Sequence, residues 1–221
     1  MMLLLIAPAA LVAPAPDPAA QAVTDWQAAV DPVLAKQLPA DATLAQRIVW
    51  LVARDEIIRQ HAWRAWDPHL TPAQQIVAGT EIGTRMNAID RANTEALKLL
   101  LPADGWFRNS REGRQITHGA WLIAQHSPDK AFRAQVLEAM RSRIASGDVD
   151  AMDFALTSDR VARGRGELQI YGSQAQCIDG ATAIQPMTDP ANVDIRRAAI
   201  GWSKTFAETK GDLEIGKPCV L

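Results

Sequence analysis

The chain has 221 residues, of which 48% are hydrophobic and 22% are charged, the balance of a globular protein that can bury one sizeable core. We therefore expect a single domain. The formal net charge of −2 and the lack of a Lys or Arg run exclude the basic surface that binds nucleic acid or an anionic membrane.

The N-terminus begins with an apolar run from Met1 to Ala13, which has the length of the hydrophobic part of a secretory signal. It is shorter than the roughly 20 residues that span a bilayer. Ala20-Gln21-Ala22 has the pattern of a cleavage site, which predicts a signal peptide over 1–22 and a mature chain without a transmembrane helix. No Lys or Arg precedes the run, so an uncleaved anchor is the alternative. The expected location is periplasmic or secreted.

A Pro- and Ala-rich lead-in over 23–40 precedes the predicted domain, which covers 41–221. Apolar residues at helical spacing predict a mainly α fold, a single helical domain of about five to seven helices. The predicted helices start after Thr43, before Ile82, at about Ile116, at Pro128 and near Asp148, and shorter ones follow Asp189-Pro190 and surround Phe206.

A small β-hairpin is expected near the C-terminal third. Residues 168–171 alternate between apolar and polar side chains, which is the period of a half-buried strand. Asp179-Gly180 is typical of a type I′ turn, and it precedes a second apolar stretch over 181–184.

The chain has two cysteines, Cys177 and Cys219. Export would place them in an oxidising compartment, so we predict that they form a disulfide. Closing this loop would stabilise the fold by roughly 4 kcal/mol in the chain-entropy model. The alternative is two separate buried thiols.

Four of the predicted helices carry polar or ionisable residues within their apolar stripes. These residues are Asp55 with Arg59, Asp90 with Asn93, His126, and Asp159 with Arg160. A charge on a core-facing position costs several kcal/mol unless it is paired or used. The pattern therefore predicts one buried polar centre.

Three motifs in these segments resemble those of a bacterial family that is known only as a domain of unknown function. The motifs are Gln125-His126, Asp159-Arg160 and Tyr171-Gly172-Ser173-Gln174. The likeness runs in register from about Asp55 to Gly201. It implies a shared fold and a shared polar centre but supplies no activity, so function has to be argued from the site.

The candidate catalytic residues are His126, Asp159 and Tyr171. A histidine acts as a general acid or base near neutral pH when a carboxylate orients it, and Asp159 is the expected partner. The phenol of Tyr171 could donate a proton or bind an oxyanion. The alternatives are structural: His126 would cap its helix, and Tyr171 would be a strand aromatic.

Candidate ligand-binding residues surround these three. They are Asp55, Arg59, Asp90, Asn93, Gln125, Arg160 and Gln174. Arg160 could clamp an anion, although a buried bridge to Asp55 or Asp90 is the alternative. No metal-ligand motif and no Gly-x-Ser-x-Gly motif is present, so the sequence assigns no metal site and leaves the cofactor unknown.

Two functions remain open. One is a non-catalytic envelope or interaction module with a buried polar network, whose partner is an envelope protein. The other is an enzyme that binds or hydrolyses a small polar ligand with His126 and Asp159, helped by Arg160. The first is favoured because no nucleophile motif is present. A pocket open to solvent would support the enzyme, whereas sealed and mutually bonded residues would support the module.

Overall fold

A computed structural model of the chain describes residues 16–217 and 219, so most of the predicted signal peptide, residues 1–15, lies outside the described residues. The described part contains nine α-helices and one two-stranded sheet, which confirms the mainly α fold with a hairpin. The helices are α1 (Pro18–Leu34), α2 (Leu44–Gln60), α3 (Pro72–Lys98), α4 (Asn109–Glu112), α5 (Arg114–His126), α6 (Lys130–Arg141), α7 (Ala151–Gly164), α8 (Val193–Ala199) and α9 (Phe206–Asp212). The strands are β1 (Ala175–Ile178) and β2 (Ala181–Ile184). None of these helices combines the length and the apolar character that a membrane span requires.

Helix α1 occupies a segment in which the composition predicted no helix. The Asp17 carboxylate caps its first turn, and a proline occupies its first position. Trp26 is 2% exposed, and its ring N–H donates to the carbonyl of Ile58 on α2 at 3.1 Å. The predicted cleavage site before Val23 falls within this helix.

The core consists of two apolar clusters that α2 connects. The first cluster joins α1, α2 and α3 around Trp26 and Ile58. The second joins α2, α5, α6 and α7 around Trp106 and Phe154. Asp55 lies on α2 between the residues that enter the two clusters, so its carboxylate has to be paired inside the protein.

Helix α5 approaches α2 closely at Gly119. A Cβ at this position would lie 2.7 Å from Cγ2 of Ile48, so only a glycine permits the approach. The same crossing places His126, at the end of α5, beside Asp55 on α2.

The turn and the second strand of the hairpin form where the sequence predicts them. Strands β1 and β2 pair antiparallel, and Asp179 and Gly180 both have positive φ (50° and 78°), as a type I′ turn requires. Cys177 and Cys219 form the predicted disulfide.

The C-terminal tail runs beside β2. The N–H of Thr182 donates to the carbonyl of Lys217 at 2.8 Å, and Gly216 donates back to the carbonyl of Thr182 at 2.8 Å. Cys219 adds a third bond, to the carbonyl of Gly180 at 3.0 Å. The tail therefore extends the pairing of the hairpin by a short stretch of backbone.

The strand predicted over 168–171 is wrong. This stretch is irregular apart from an isolated bridge between Gln169 and Met187. Buried and exposed side chains do alternate along this stretch, but the polar ones are buried: Gln169 is 0% exposed whereas Leu168 is 51% exposed. The buried polar groups of the neighbouring helices fix the segment in this orientation, as described below.

Candidate functional site

Helices α2, α3 and α5 bring four of the predicted site residues together. His126 Nδ1 lies 2.9 Å from Asp55 Oδ1. Arg59 bridges two carboxylates, with Nη1 at 2.9 Å from Asp55 and Nη2 at 2.9 Å from Asp90. The two acids are 1% and 7% exposed, respectively. We call this set, Asp55, Arg59, Asp90 and His126, the Asp55 centre.

The partner of His126 differs from the one that the sequence predicted. Asp55, and not Asp159, orients the imidazole ring. An ionised carboxylate can only accept, so Nδ1 of His126 is the donor in the tautomer that forms this bond. The hydrogen bonds of the described residues include none at Nε2, and the His126 side chain is 24% exposed. The arrangement is therefore an Asp–His pair whose outer nitrogen faces away from its carboxylate.

Electrostatic balance in the centre depends on Arg59. Burial raises the pKa of Asp90, while the guanidinium of Arg59 opposes that shift and the nearby Asp55 adds to it. Two acids can lie this close because one cation contacts both. Within the described residues, no group of three or more His, Cys, Asp or Glu side chains is arranged to hold a metal ion.

Asn93 is buried next to this centre but binds a different arginine of α2. It is 1% exposed, and its Oδ1 accepts from Nε of Arg54 at 3.0 Å. Its Nδ2 is buried without a hydrogen-bond partner among the described residues. The amide therefore joins α3 to α2, as expected for a structural polar pair.

Asp159, on α7, binds the backbone of the irregular segment that follows. Its Oδ1 accepts from the N–H groups of Ile170 at 2.6 Å and Tyr171 at 2.9 Å, and its Oδ2 accepts from Ser173 at 2.8 Å. The carboxylate is completely buried. Three charge-assisted bonds of this kind fix a loop firmly, so the observed role of Asp159 is to hold the Tyr-Gly-Ser-Gln motif.

Tyr171 and Gln174 are the other predicted residues of this loop. The Tyr171 ring packs edge to face on Phe154, with the centroids 6.2 Å apart. Burial, and then the nearby Asp159, raise the pKa of its phenol. Gln174 is held through its backbone, because its N–H donates to Oε1 of Gln169 at 2.9 Å. The observed contacts of both residues are structural.

Sequence reasoning missed Arg197 and Gln169, which complete the loop. Arg197 is 1% exposed, and its Nε and Nη2 donate to the carbonyl of Tyr171 at 2.8 and 2.6 Å. Its guanidinium lies 4.1 Å from the centre of the Trp202 ring. The Arg196-Arg197 pair could have drawn attention to this position, but α8 has seven residues, too few for an apolar stripe to show which arginine is buried.

A second Asp–His pair lies between α5 and α7. His118 Nδ1 is 3.0 Å from Oδ2 of Asp153. The imidazole ring stacks on the Trp121 ring, and the ring centroids are 4.9 Å apart. The histidine is half exposed, as expected for a surface residue, but the acid is 2% exposed. In α7 Met152 is 36% exposed, whereas its neighbour Asp153 is buried.

Stability should fall with rising pH because of Asp153. Burial raises its pKa to about 7, against the opposing effect of His118, with Asp150 adding to the increase. The pKa in the unfolded chain is about 4, so the folded chain holds an extra proton between about pH 4 and pH 7. The stabilisation from this proton is present at the lower pH and is lost as the pH rises through 7.

Urea denaturation at several pH values measures this effect. The variant Asp153→Asn cannot titrate, so the free energy of unfolding of the wild type should decline relative to that of the variant between about pH 4 and pH 7. A constant difference across this range would contradict the assignment.

Arg160 lies outside the Asp55 centre. Its Nη1 donates to the carbonyl of Gln125 at 3.2 Å. The ion pairs among the described residues do not include Arg160, so the expected bridge to Asp55 or Asp90 is not formed; Arg59 contacts both acids instead. The Gln125 side chain donates to Thr157 at 2.5 Å, and this bond joins α5 to α7.

The fold and the site define a helical domain in which the buried acids are held by internal hydrogen bonds and ion pairs. A family model, described as Family of unknown function (DUF6624), matches residues 42–209. The chain belongs to this family, which confirms the resemblance seen in its motifs. The comparisons with curated proteins and with solved structures gave no match.

Proposed function

We propose that the chain is an exported, non-catalytic module of the cell envelope in which the buried polar residues fix the fold for binding to an envelope protein. The observation that carries the proposal is the internal use of three buried carboxylates. Asp55 binds His126 and Arg59, Asp90 binds Arg59, and Asp159 binds three backbone N–H groups. Buried carboxylates whose bonds are all made inside the protein are better placed to stabilise a fold than to contact a substrate.

The disulfide supports the exported location. Cys177 and Cys219 are bonded to each other, and a structural disulfide persists in an oxidising compartment. Expression of the full chain with its N-terminus intact tests this part of the proposal. We expect a processed chain with no free thiol in the periplasm or the medium, whereas a reduced, unprocessed chain in the cytosol would contradict it.

A second function, a small-ligand hydrolase, has one observation in its favour. The ring of His126 is 24% exposed, and Asp55 orients it as a general acid or base would require. In this alternative Asp55 replaces Asp159 as the partner of the histidine, and Arg160 would bind the anionic part of the substrate.

Two variants of His126 separate the functions. In His126→Asn the amide can donate to Asp55 in place of Nδ1, so stability should stay within about 1 kcal/mol of the wild type. In His126→Leu this donor is lost, and we expect a decrease of about 1–3 kcal/mol in the free energy of unfolding. Urea denaturation measures both values.

The same two variants are assayed with a panel of ester, phosphate-ester and peptidoglycan-fragment substrates. For a structural histidine we expect no turnover that depends on residue 126. Turnover by the wild type that disappears in the stable His126→Asn variant would overturn the proposal in favour of the hydrolase.

A further inference from the structure

A cavity of about 300 Å³ lies between α6 and α7. Four cationic side chains line it: Lys130, Arg133, Arg160 and Arg165. The other described residues of its wall are small or apolar, and none of them is acidic. A concave surface with one sign of charge concentrates ions of the opposite sign.

None of these four cations forms an ion pair in the described part of the protein. The carboxylate that acts on Arg133 is Asp129, which forms an ion pair with Lys98 at 2.9 Å. Burial lowers the pKa of Arg160, and the neighbouring Arg133, Arg163 and Arg59 lower it further. Positive charge therefore accumulates around Arg160, and the nearby carboxylate of Asp129 is already paired with Lys98.

The two inner arginines are held in place by the end of α5. Arg133 donates through Nη1 to the carbonyl of Ser127, and Arg160 donates through Nη1 to the carbonyl of Gln125. The Nε atoms of both arginines are buried and have no hydrogen-bond partner among the described residues. The described residues give neither guanidinium group a further hydrogen-bond acceptor, so each arginine has donor capacity left over.

We propose that this cavity binds a phosphoryl group, as inorganic phosphate or as the phosphate monoester of a small molecule. A phosphoryl dianion matches four cations better than a single carboxylate does, and its oxygens suit the paired donors of guanidinium groups. The volume is at the lower end of the range for small-molecule sites, which favours a small ester over a polymer. The inference does not depend on the proposed function, because Arg133 and Arg160 lie outside the Asp55 centre.

Titration calorimetry of the whole chain with inorganic phosphate, at constant ionic strength, tests the proposal. We expect saturable binding to the wild type that weakens at least tenfold in Arg160→Gln. Arg85→Gln is the matched control, since Arg85 lies on α3 and is paired with Glu81, and it should bind like the wild type. Absence of saturable binding, or equal binding by Arg160→Gln, would overturn the site.

Arg165→Gln keeps the test valid if Arg160→Gln fails to fold. Arg165 is exposed, so its replacement leaves the core intact, and affinity should fall about threefold. Equal affinity for phosphate and sulfate would also overturn the proposal, because it would indicate a general anion effect. Tighter binding of glycerol phosphate than of inorganic phosphate would identify the monoester as the ligand, and the reverse order would identify the free ion.

Discussion

Asp159→Ala is expected to reduce the free energy of unfolding by about 3–5 kcal/mol. The substitution removes the acceptor for the backbone N–H groups of Ile170, Tyr171 and Ser173, and the carboxylate that binds them is 0% exposed. Buried donors without a partner bear the full cost of desolvation. Urea denaturation followed by circular dichroism measures the change.

Glu167→Gln provides the control for this variant. Glu167 is an exposed acid in the turn after α7, so its neutralisation should change stability by less than about 0.5 kcal/mol. If Asp159→Ala lost no more than Glu167→Gln, the loop would not depend on the carboxylate, and the structural role assigned to Asp159 would fail.

Arg197→Met should have the second-largest effect, a loss of about 2–4 kcal/mol. Methionine retains the length of the side chain but leaves the carbonyls of Tyr171 and Gly172 and the hydroxyl of Thr209 without their donor. The contact with the Trp202 ring is also weakened, since it depends on the positive charge. Thermal and urea unfolding of the purified variant give the measurement.

The neighbouring arginine allows a matched comparison. Arg196 also donates to loop carbonyls, at Ile170 and Thr188, but from a more exposed position, so Arg196→Met should lose less than half as much. Asp159 accepts a hydrogen bond from the backbone N–H of Tyr171, and Arg197 donates one to the backbone carbonyl of the same residue. The double variant should therefore lose less than the sum of the two single losses, and strict additivity would contradict a shared loop.

Much of the fold could be predicted from the sequence because its helices have local start signals. Thr43 caps α2, and the apolar stripes of α5 and α6 repeat at helical spacing. The start of α3 was placed only before Ile82, because its capping box at Thr71 was not recognised. Helix α1 was missed because its Ala- and Pro-rich composition resembles a linker. Its order comes from burial of Trp26 against α2, a contact that local sequence does not reveal.

The members of the site were predicted, but the partner of His126 was not. Helical periodicity places Asp55, Asp90 and His126 on core-facing positions, and all three meet in the structure. Which carboxylate reaches the histidine depends on how α5 crosses α2 at Gly119, and that crossing is set by contacts distant in sequence. Asp159 was paired with the wrong partner because the N–H groups that donate to it belong to irregular backbone, which helical periodicity does not describe.

The tail beside β2 gives the disulfide a second consequence. The backbone bonds of Thr182 with Lys217 and Gly216 cover part of the outer edge of the hairpin. An uncovered strand edge is a template for pairing with another chain. Reduction of the bond between Cys177 and Cys219 would release the tail and expose that edge. We therefore expect the oxidised form to self-associate less than the reduced form, in addition to being more stable.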